Sequence, residues 1–274
     1  RKVADRLAGG IEMLFKKNKI DYIRGEAAIP KAGVVEVTDK DGKKSEHKAA
    51  KILVATGVVT RELPGFPFNG KSVIGSKQAL VIAEQPKEII IIGAGAIGIE
   101  FAYFFNAFGS KVTVVEMQPN ILPVEDTEVS VTLEKSLAKQ GIKILTNTKV
   151  EKTETTNKGV RITVSGKTTE TLEADVALVA IGVSPLLPQG LKVDLDRGYI
   201  KTDGNYETSL KGVYAAGDII GPPWLAHVAS YEAIQAVEGM FGVDKPKKVT
   251  TFPGCTYCHP QVASVGLTER AAKE

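Results

Sequence analysis

Apolar positions along the chain fall into short runs suited to strands and wider repeats suited to helices. The strongest run is Ile89–Ile92, too short to span a membrane and long enough for a strand buried on both faces. A helical repeat follows at once. It places Ile97, Phe101, Phe104, Phe105 and Phe108 on one predicted stripe, with Gly109 where a left-handed helix end belongs. Lys111–Val115 predicts a second strand. Upstream, Leu7, Ile11, Leu14 and Phe15 give one apolar face to a helix over residues 1–19. Strand-like runs come next at 20–29, 34–39 and 47–57, with Asp41-Gly42 as a hairpin turn between the last two. Residues 58–86 read as a connector rich in proline and glycine, with a short helical turn at 77–80. Beyond the central unit a charged amphipathic helix covers 125–141, and strands are predicted at 142–146, 148–154, 159–165, 168–172 and 174–181. Gly182 and Pro185 close that block. A loop with one strand at 199–202 leads to Gly212–Asp218 and then to a helix over 225–241.

Composition narrows the field. A length of 274 residues predicts about two domains. Hydrophobic residues at 43% supply enough material for packed cores. The net charge of +3 comes from scattered basic residues, which gives no footprint for nucleic acid. No stretch reaches membrane-spanning length and no signal peptide is visible. Two cysteines exclude a disulfide scaffold and predict a reducing, cytoplasmic setting. The first residue is Arg1 in what reads as mid-helix sequence, so the chain is expected to be part of a longer protein.

The chemistry concentrates at Gly93-Ala94-Gly95-Ala96-Ile97-Gly98, a G-x-G-x-x-G spacing between a predicted strand and a predicted helix. Gly93 permits a tight turn, Gly95 lets backbone N–H groups reach a pyrophosphate, and Gly98 lets helix and strand pack closely. The helix N-terminus adds partial positive charge there. Glu116 stands at the tip of the second strand, eighteen residues past Gly98. A carboxylate in that place accepts hydrogen bonds from ribose hydroxyls and repels a 2′-phosphate, which favours NAD over NADP. At Gly212–Asp218 a strand runs into a small-residue turn and delivers a carboxylate at its carboxyl end, where ligands bind in open α/β sheets.

Three further features need weighing. Cys255-Thr-Tyr-Cys258 lies in an extended segment, away from a helix N-terminus that would lower a thiol pKa. Zinc would need two more ligands, and His259 is only adjacent. The pair reads as ordinary thiols, and no metal site is expected. Glu100 interrupts an apolar helix, so its carboxylate needs a partner or a cofactor; the cofactor side is the expectation. His227 reads as a packed histidine rather than a base.

The segments ATG (55–57), GAGAIGIE (93–100), VVEMQPNILPVEDTEVS (114–130), GVYAAGDI (212–219), LAHVASYEA (225–233) and HPQVASVGLTE (259–269) together resemble the pyridine nucleotide–disulfide oxidoreductase family. Glu116 and the 121–130 stretch resemble its NAD-using, dihydrolipoamide-oxidising branch. The resemblance implies an α/β protein with two Rossmann-like FAD- and NAD(P)-binding domains, the NAD domain inserted in a discontinuous FAD domain, plus the start of an α+β interface domain. The implied bounds are 1–85 and 185–247 for FAD, 86–184 for NAD and 248–274 for the interface start. The resemblance also implies site residues. Ala27, Thr56, Gly57, Asp218, Leu225, Ala226 and His227 would lie along FAD. Residues Gly93 to Gly98, with Glu100, Glu116, Val150 and Gly182, would contact NAD.

The same resemblance implies a homodimer that serves a lipoyl-bearing protein of a 2-oxoacid dehydrogenase or glycine cleavage complex. Dihydrolipoamide would reduce a cysteine pair, electrons would pass to FAD, and NAD+ would take the hydride. The C-x4-C redox pair, the first FAD glycine motif and the late His–Glu acid/base pair of the family are missing from this sequence. Val183 and Leu186 stand where the family usually carries Arg and Asn. The chain alone is therefore expected to be inactive, to bind NAD, and to retain little FAD. The competing readings are a binding module that holds NAD without catalysis and an NADH oxidase-type relative on the same fold.

Overall fold

A computed structural model describes residues 2–248 and 250–274; Arg1 and Val249 lie outside the described residues. The helices, in chain order, are α1 (Lys2–Lys17), α2 (Ser76–Ala79), α3 (Ala96–Ala107), α4 (Thr127–Lys139), α5 (Ala226–Met240) and α6 (Glu269–Lys273). Two compact units form, one from 1–56 with 186–247 and the other from 57–185 with 248–274.

The second unit is built on a five-stranded parallel sheet. Its strands run in the order Val73–Ile74, Val176–Val179, Glu88–Ile92, Lys111–Val115 and Lys143–Leu145. Alternation along Glu88–Ile92 explains the unbroken isoleucine run. Ile89 and Ile91 enter a core with α3 and α4, while Ile90 and Ile92 enter a second core on the other face. That second face is covered by an antiparallel sheet of Lys149–Thr156, Gly159–Ser165 and Thr169–Ala174. All five strands expected over 142–181 are present, within a residue or two of their predicted ends.

The first unit holds an antiparallel meander of Glu26–Lys31, Val34–Thr38 and Lys44–Lys48, closed through the Asp41-Gly42 turn. Beside it Ile52–Val54 pairs in parallel with Val213–Ala215, and α5 packs Ala236 and Met240 against Tyr206 and Tyr214. α1 is amphipathic as its pattern predicts, yet none of its residues is buried.

Four expectations need correction. The strand expected at 20–29 begins only at Glu26, because Lys19, just past the end of α1, takes a positive φ and the chain turns before it can pair. The run 47–57 splits in two, since residues up to Lys48 finish the meander and only Ile52–Val54 joins the parallel pair. The connector 58–86 supplies an edge strand, Val73–Ile74, to the parallel sheet. The buried face of α3 is Gly98, Ile99, Ala102 and Phe105, while Ile97, Phe104 and Phe108 are exposed. Close approach of the glycine turn at Gly98 fixes the rotation of α3, so that Ile99, Ala102 and Phe105 face the core while Ile97, Phe104 and Phe108 turn out.

Candidate functional site

The turn after Glu88–Ile92 has the geometry its glycines predict. Gly93 sits at φ +102, and a Cβ there would lie 2.4 Å from the Ala180 carbonyl oxygen. A Cβ on Gly98 would stand 2.0 Å from the Gly93 carbonyl oxygen. Gly95 is different, because a Cβ built on it meets nothing within 4 Å. The crowded glycines serve the fold, and the uncrowded one faces open space. Gly95 is also the N-cap of α3 and offers no side chain to its first-turn amides, while Ala96 and Ile97 are exposed. The result is a helix N-terminus with unsatisfied N–H donors above a parallel sheet, a site suited to a phosphate.

Glu116 follows the last residue of the neighbouring strand and is nearly buried. Its Oε2 accepts the Ala94 N–H at 2.7 Å and its Oε1 accepts the Gln118 N–H at 2.7 Å. The carboxylate thus braces the glycine turn, a role the sequence reading did not include. Glu100, one turn into α3, has a protein partner: its Oε1 accepts the Tyr257 N–H at 2.8 Å. Gly182 lies at φ +106 with open space beside it, and its carbonyl accepts the Arg61 N–H. Val150 pairs with Val164 and packs at the margin of the second core.

In the other unit Val213–Ala215 runs into a short 3-10 turn, Gly217–Ile220, that carries Asp218. Burial pushes the Asp218 carboxyl above its ordinary pKa, and only its own backbone opposes that shift. The turn itself is held from α5, where Glu232 Oε2 accepts the Gly217 N–H at 2.8 Å. Leu225 is the N-cap of α5 without a side-chain bond, and Ala226 and His227 are exposed in the first turn. Thr56 Oγ1 donates to the Leu186 carbonyl at 2.6 Å, and Ala27 is exposed opposite Val37 in the meander. Gly57 takes φ +70, a left-handed conformation that suits glycine.

The family model for pyridine nucleotide-disulphide oxidoreductases matches residues 2–233. The chain belongs to that family. It is 41% identical to a dihydrolipoyl dehydrogenase of Chlorobaculum tepidum, over 99% of this chain and 60% of the relative. A mitochondrial dihydrolipoyl dehydrogenase of Pisum sativum is 38% identical, over 100% of this chain and 56% of that protein. Among solved structures, LpdA from Mycobacterium tuberculosis superposes with a TM-score of 0.89 at 29% identity, covering 99% of this chain and 61% of that one. The flavoprotein disulfide reductase RclA from Escherichia coli gives 0.82 at 26% identity, over 99% of this chain and 65% of its own. The chain therefore spans roughly three fifths of the length of these relatives.

FAD and NAD(H) are the cofactors that go with this family. The residues present fit both. The open flank of Gly95 and the uncapped start of α3 suit a dinucleotide pyrophosphate. The Asp218 carboxylate, bonded to no other side chain among the described residues, and the uncapped start of α5 suit the hydroxyls and polar edge of a second cofactor.

Within the family fold the two cysteines take unlike positions. Cys255 is exposed on the strand Pro253–Thr256, whereas Cys258 is buried in the core shared with α3 and α4. The Cys258 Sγ donates to the Pro260 carbonyl at 3.1 Å. Burial, and after it the charge of Glu100, push this thiol above its ordinary pKa. Both are free, and the described residues contain no group of three His, Cys, Asp or Glu side chains placed to hold a metal. Iodoacetamide at neutral pH is therefore expected to label Cys255 in the native protein and Cys258 only after unfolding. Peptide mapping checks this, and equal labelling of the two in native protein would show that Cys258 is not held in the core.

Sequence reasoning missed the segment 253–265 as a partner of the nucleotide-type unit. Besides Tyr257 to Glu100, Gln140 Nε2 donates to the His259 carbonyl at 2.7 Å and Ser264 Oγ to Glu125 at 3.1 Å. Val262 joins Cys258 in the core. The only sequence signal for this was the lone carboxylate of Glu100 on an apolar helix, which required a partner.

Proposed function

We propose that this chain is the nucleotide-binding part of an NAD-dependent flavoprotein of the dihydrolipoyl dehydrogenase type. The observation that carries the reading is the contrast within the glycine turn. Gly93 and Gly98 are forced by backbone contacts, while Gly95 is left open over an uncapped helix start with a carboxylate at the adjacent strand tip. The turn and α3 would hold the NAD pyrophosphate through backbone amides and the helix dipole. Glu116 keeps lone pairs for the adenosine ribose beyond its two amide bonds and sets a negative charge where a 2′-phosphate would fall. Glu100, Val150 and Gly182 would line the same nucleotide. Asp218 would take the ribitol of FAD, with Ala27, Thr56, Gly57, Leu225, Ala226 and His227 along that cofactor.

On this reading 86–184 binds NAD, 1–85 with 185–247 binds FAD, and 248–274 opens an interface domain. The bound cofactors supply the electron and hydride chemistry. The chain supplies orientation, charge and exclusion of water. The proposed setting is a cytoplasmic homodimer acting on a lipoyl-bearing protein of a 2-oxoacid dehydrogenase or glycine cleavage complex. No helix among the described residues is long and apolar enough to cross a membrane. Because its two cysteines are not a C-x4-C pair, the chain alone is expected to bind nucleotide without oxidising dihydrolipoamide.

Fluorescence titration of the 274-residue chain with NADH and NADPH tests the reading. NADH is expected to bind at least about tenfold more tightly, a difference within reach of one repelled phosphate at a nearly buried carboxylate. Equal or tighter binding of NADPH would overturn the assignment of Glu116. Absence of NADH binding would overturn the nucleotide site itself.

A further inference from the structure

The loop Ile121–Asp126 lies beyond Glu116 in the chain and is fastened to the glycine turn. The Leu122 N–H donates to the Ala94 carbonyl at 2.8 Å. Ala94 thereby has both backbone groups held, its N–H by Glu116 and its carbonyl by Leu122. Ala94 is fully buried, so either group left unpaired would carry a desolvation cost.

Leu122 makes this bond from an unusual conformation. Its φ is +44, in the left-handed region that leucine rarely enters. Three features hold it there. Its side chain is only 1% exposed, within the core that contains Ile99, Leu133 and Leu137. Its own carbonyl accepts the Glu125 N–H at 2.9 Å and the Ser130 hydroxyl at 3.3 Å. Strained backbone persists only where its surroundings over-determine it, and here the outcome of the strain is an N–H aimed at the glycine turn.

We propose that Leu122 is a positioning residue for the pyridine nucleotide, holding Ala94 and through it the amides after Gly95 in the arrangement that receives the pyrophosphate. This rests on the reading of 93–98 as the nucleotide site. The mechanism is pre-organisation: a turn already braced from both sides loses less freedom when the ligand arrives. If the brace is lost, the amides remain but must be ordered by the ligand itself.

Three variants of the full 274-residue chain test this, with NADH as the probe. Leu122→Ala removes the buried anchor that opposes the strain. Leu122→Val keeps most of the apolar volume, but a β-branched residue is strongly disfavoured at positive φ. Leu137→Ala removes another fully buried leucine of the same core, toward the far end of α4 from the turn. Leu122→Ala and Leu137→Ala are expected to lower the melting temperature comparably. Well below those transitions, both Leu122 variants should raise the NADH Kd about tenfold, and Leu137→Ala by no more than about twofold. If Leu122→Ala does not fold, Leu122→Val alone decides. Kd values for the Leu122 variants matching that of Leu137→Ala would overturn the positioning role while leaving the nucleotide site standing. Failure of the unaltered chain to bind NADH would remove both.

Discussion

Gly98→Ala is expected to destabilise the nucleotide-type unit by about 3 kcal/mol or more and to abolish NADH binding with it. The added Cβ would stand 2.0 Å from the Gly93 carbonyl oxygen and 3.0 Å from its carbon. Both atoms are backbone, so no rotamer change relieves the clash. Either α3 lifts from the sheet or the turn opens, and each response breaks the contact of Ile99 and Ala102 with the core. A drop in melting temperature of about 6–12 °C follows for a unit of this size. Gly95→Ala is the informative comparison. Its Cβ meets nothing within 4 Å and its φ of −70 suits any residue, so the fold should melt near the wild-type temperature. The methyl would nonetheless occupy the space through which a phosphate approaches the α3 amides, and NADH affinity should fall by an order of magnitude or more. Circular dichroism melts and NADH titrations on the two variants separate fold from binding. Wild-type affinity in Gly95→Ala would mean that no pyrophosphate rests on this turn.

The second large effect is expected at Glu116. On the sequence alone, Glu116→Ala should weaken NADH while narrowing its lead over NADPH. The structure raises the stakes, because each carboxylate oxygen accepts a backbone N–H at 2.7 Å and one of those donors belongs to the glycine turn. Hydrogen bonds to a charged acceptor contribute about 1.5–3 kcal/mol each. Removing the carboxylate leaves the buried Ala94 N–H without a partner, so Glu116→Ala should lose stability as well as affinity. NADH binding is expected to fall by about two orders of magnitude and the preference over NADPH to disappear. Glu116→Gln should be intermediate, since one amide oxygen still accepts while its NH2 group faces a second N–H donor. A Glu116→Ala protein with unchanged melting temperature would show that the brace contributes nothing. One with unchanged nucleotide preference would remove the electrostatic account of selectivity.

The 250–274 segment packs against the nucleotide-type unit. It contributes Cys258 and Val262 to the core against α3 and α4, and it takes up the side chains of Glu100, Glu125 and Asp126. Asp126 is the N-cap of α4, yet its carboxylate accepts the Glu269 N–H and makes no cap bond. By its contacts the segment groups with the nucleotide-type unit.

Local chemistry was legible in the sequence. The isoleucine run, the glycine spacing, the Asp41-Gly42 turn and the helix closed by Gly141 each depend on residues a few positions apart, where periodicity and backbone sterics decide the outcome. The strand–turn–helix–strand unit ending in Glu116 therefore stands where the sequence alone places it. What the tertiary structure decided was which surface each local element turns inward and which distant group each polar atom meets. The predicted stripe of α3 split because the close approach at Gly98 fixes the rotation of the helix, which buries Ile99, Ala102 and Phe105 and leaves Ile97, Phe104 and Phe108 outside. Val73–Ile74 became a sheet edge because a parallel neighbour at Val176–Val179 was there to pair with it, more than a hundred residues away. Ala94 for both Glu116 and Leu122, and Tyr257 for Glu100, became partners in the same way, through contacts that no spacing along the chain encodes. Helical and strand periodicities are properties of a segment, whereas burial and hydrogen-bond satisfaction belong to the whole packed unit.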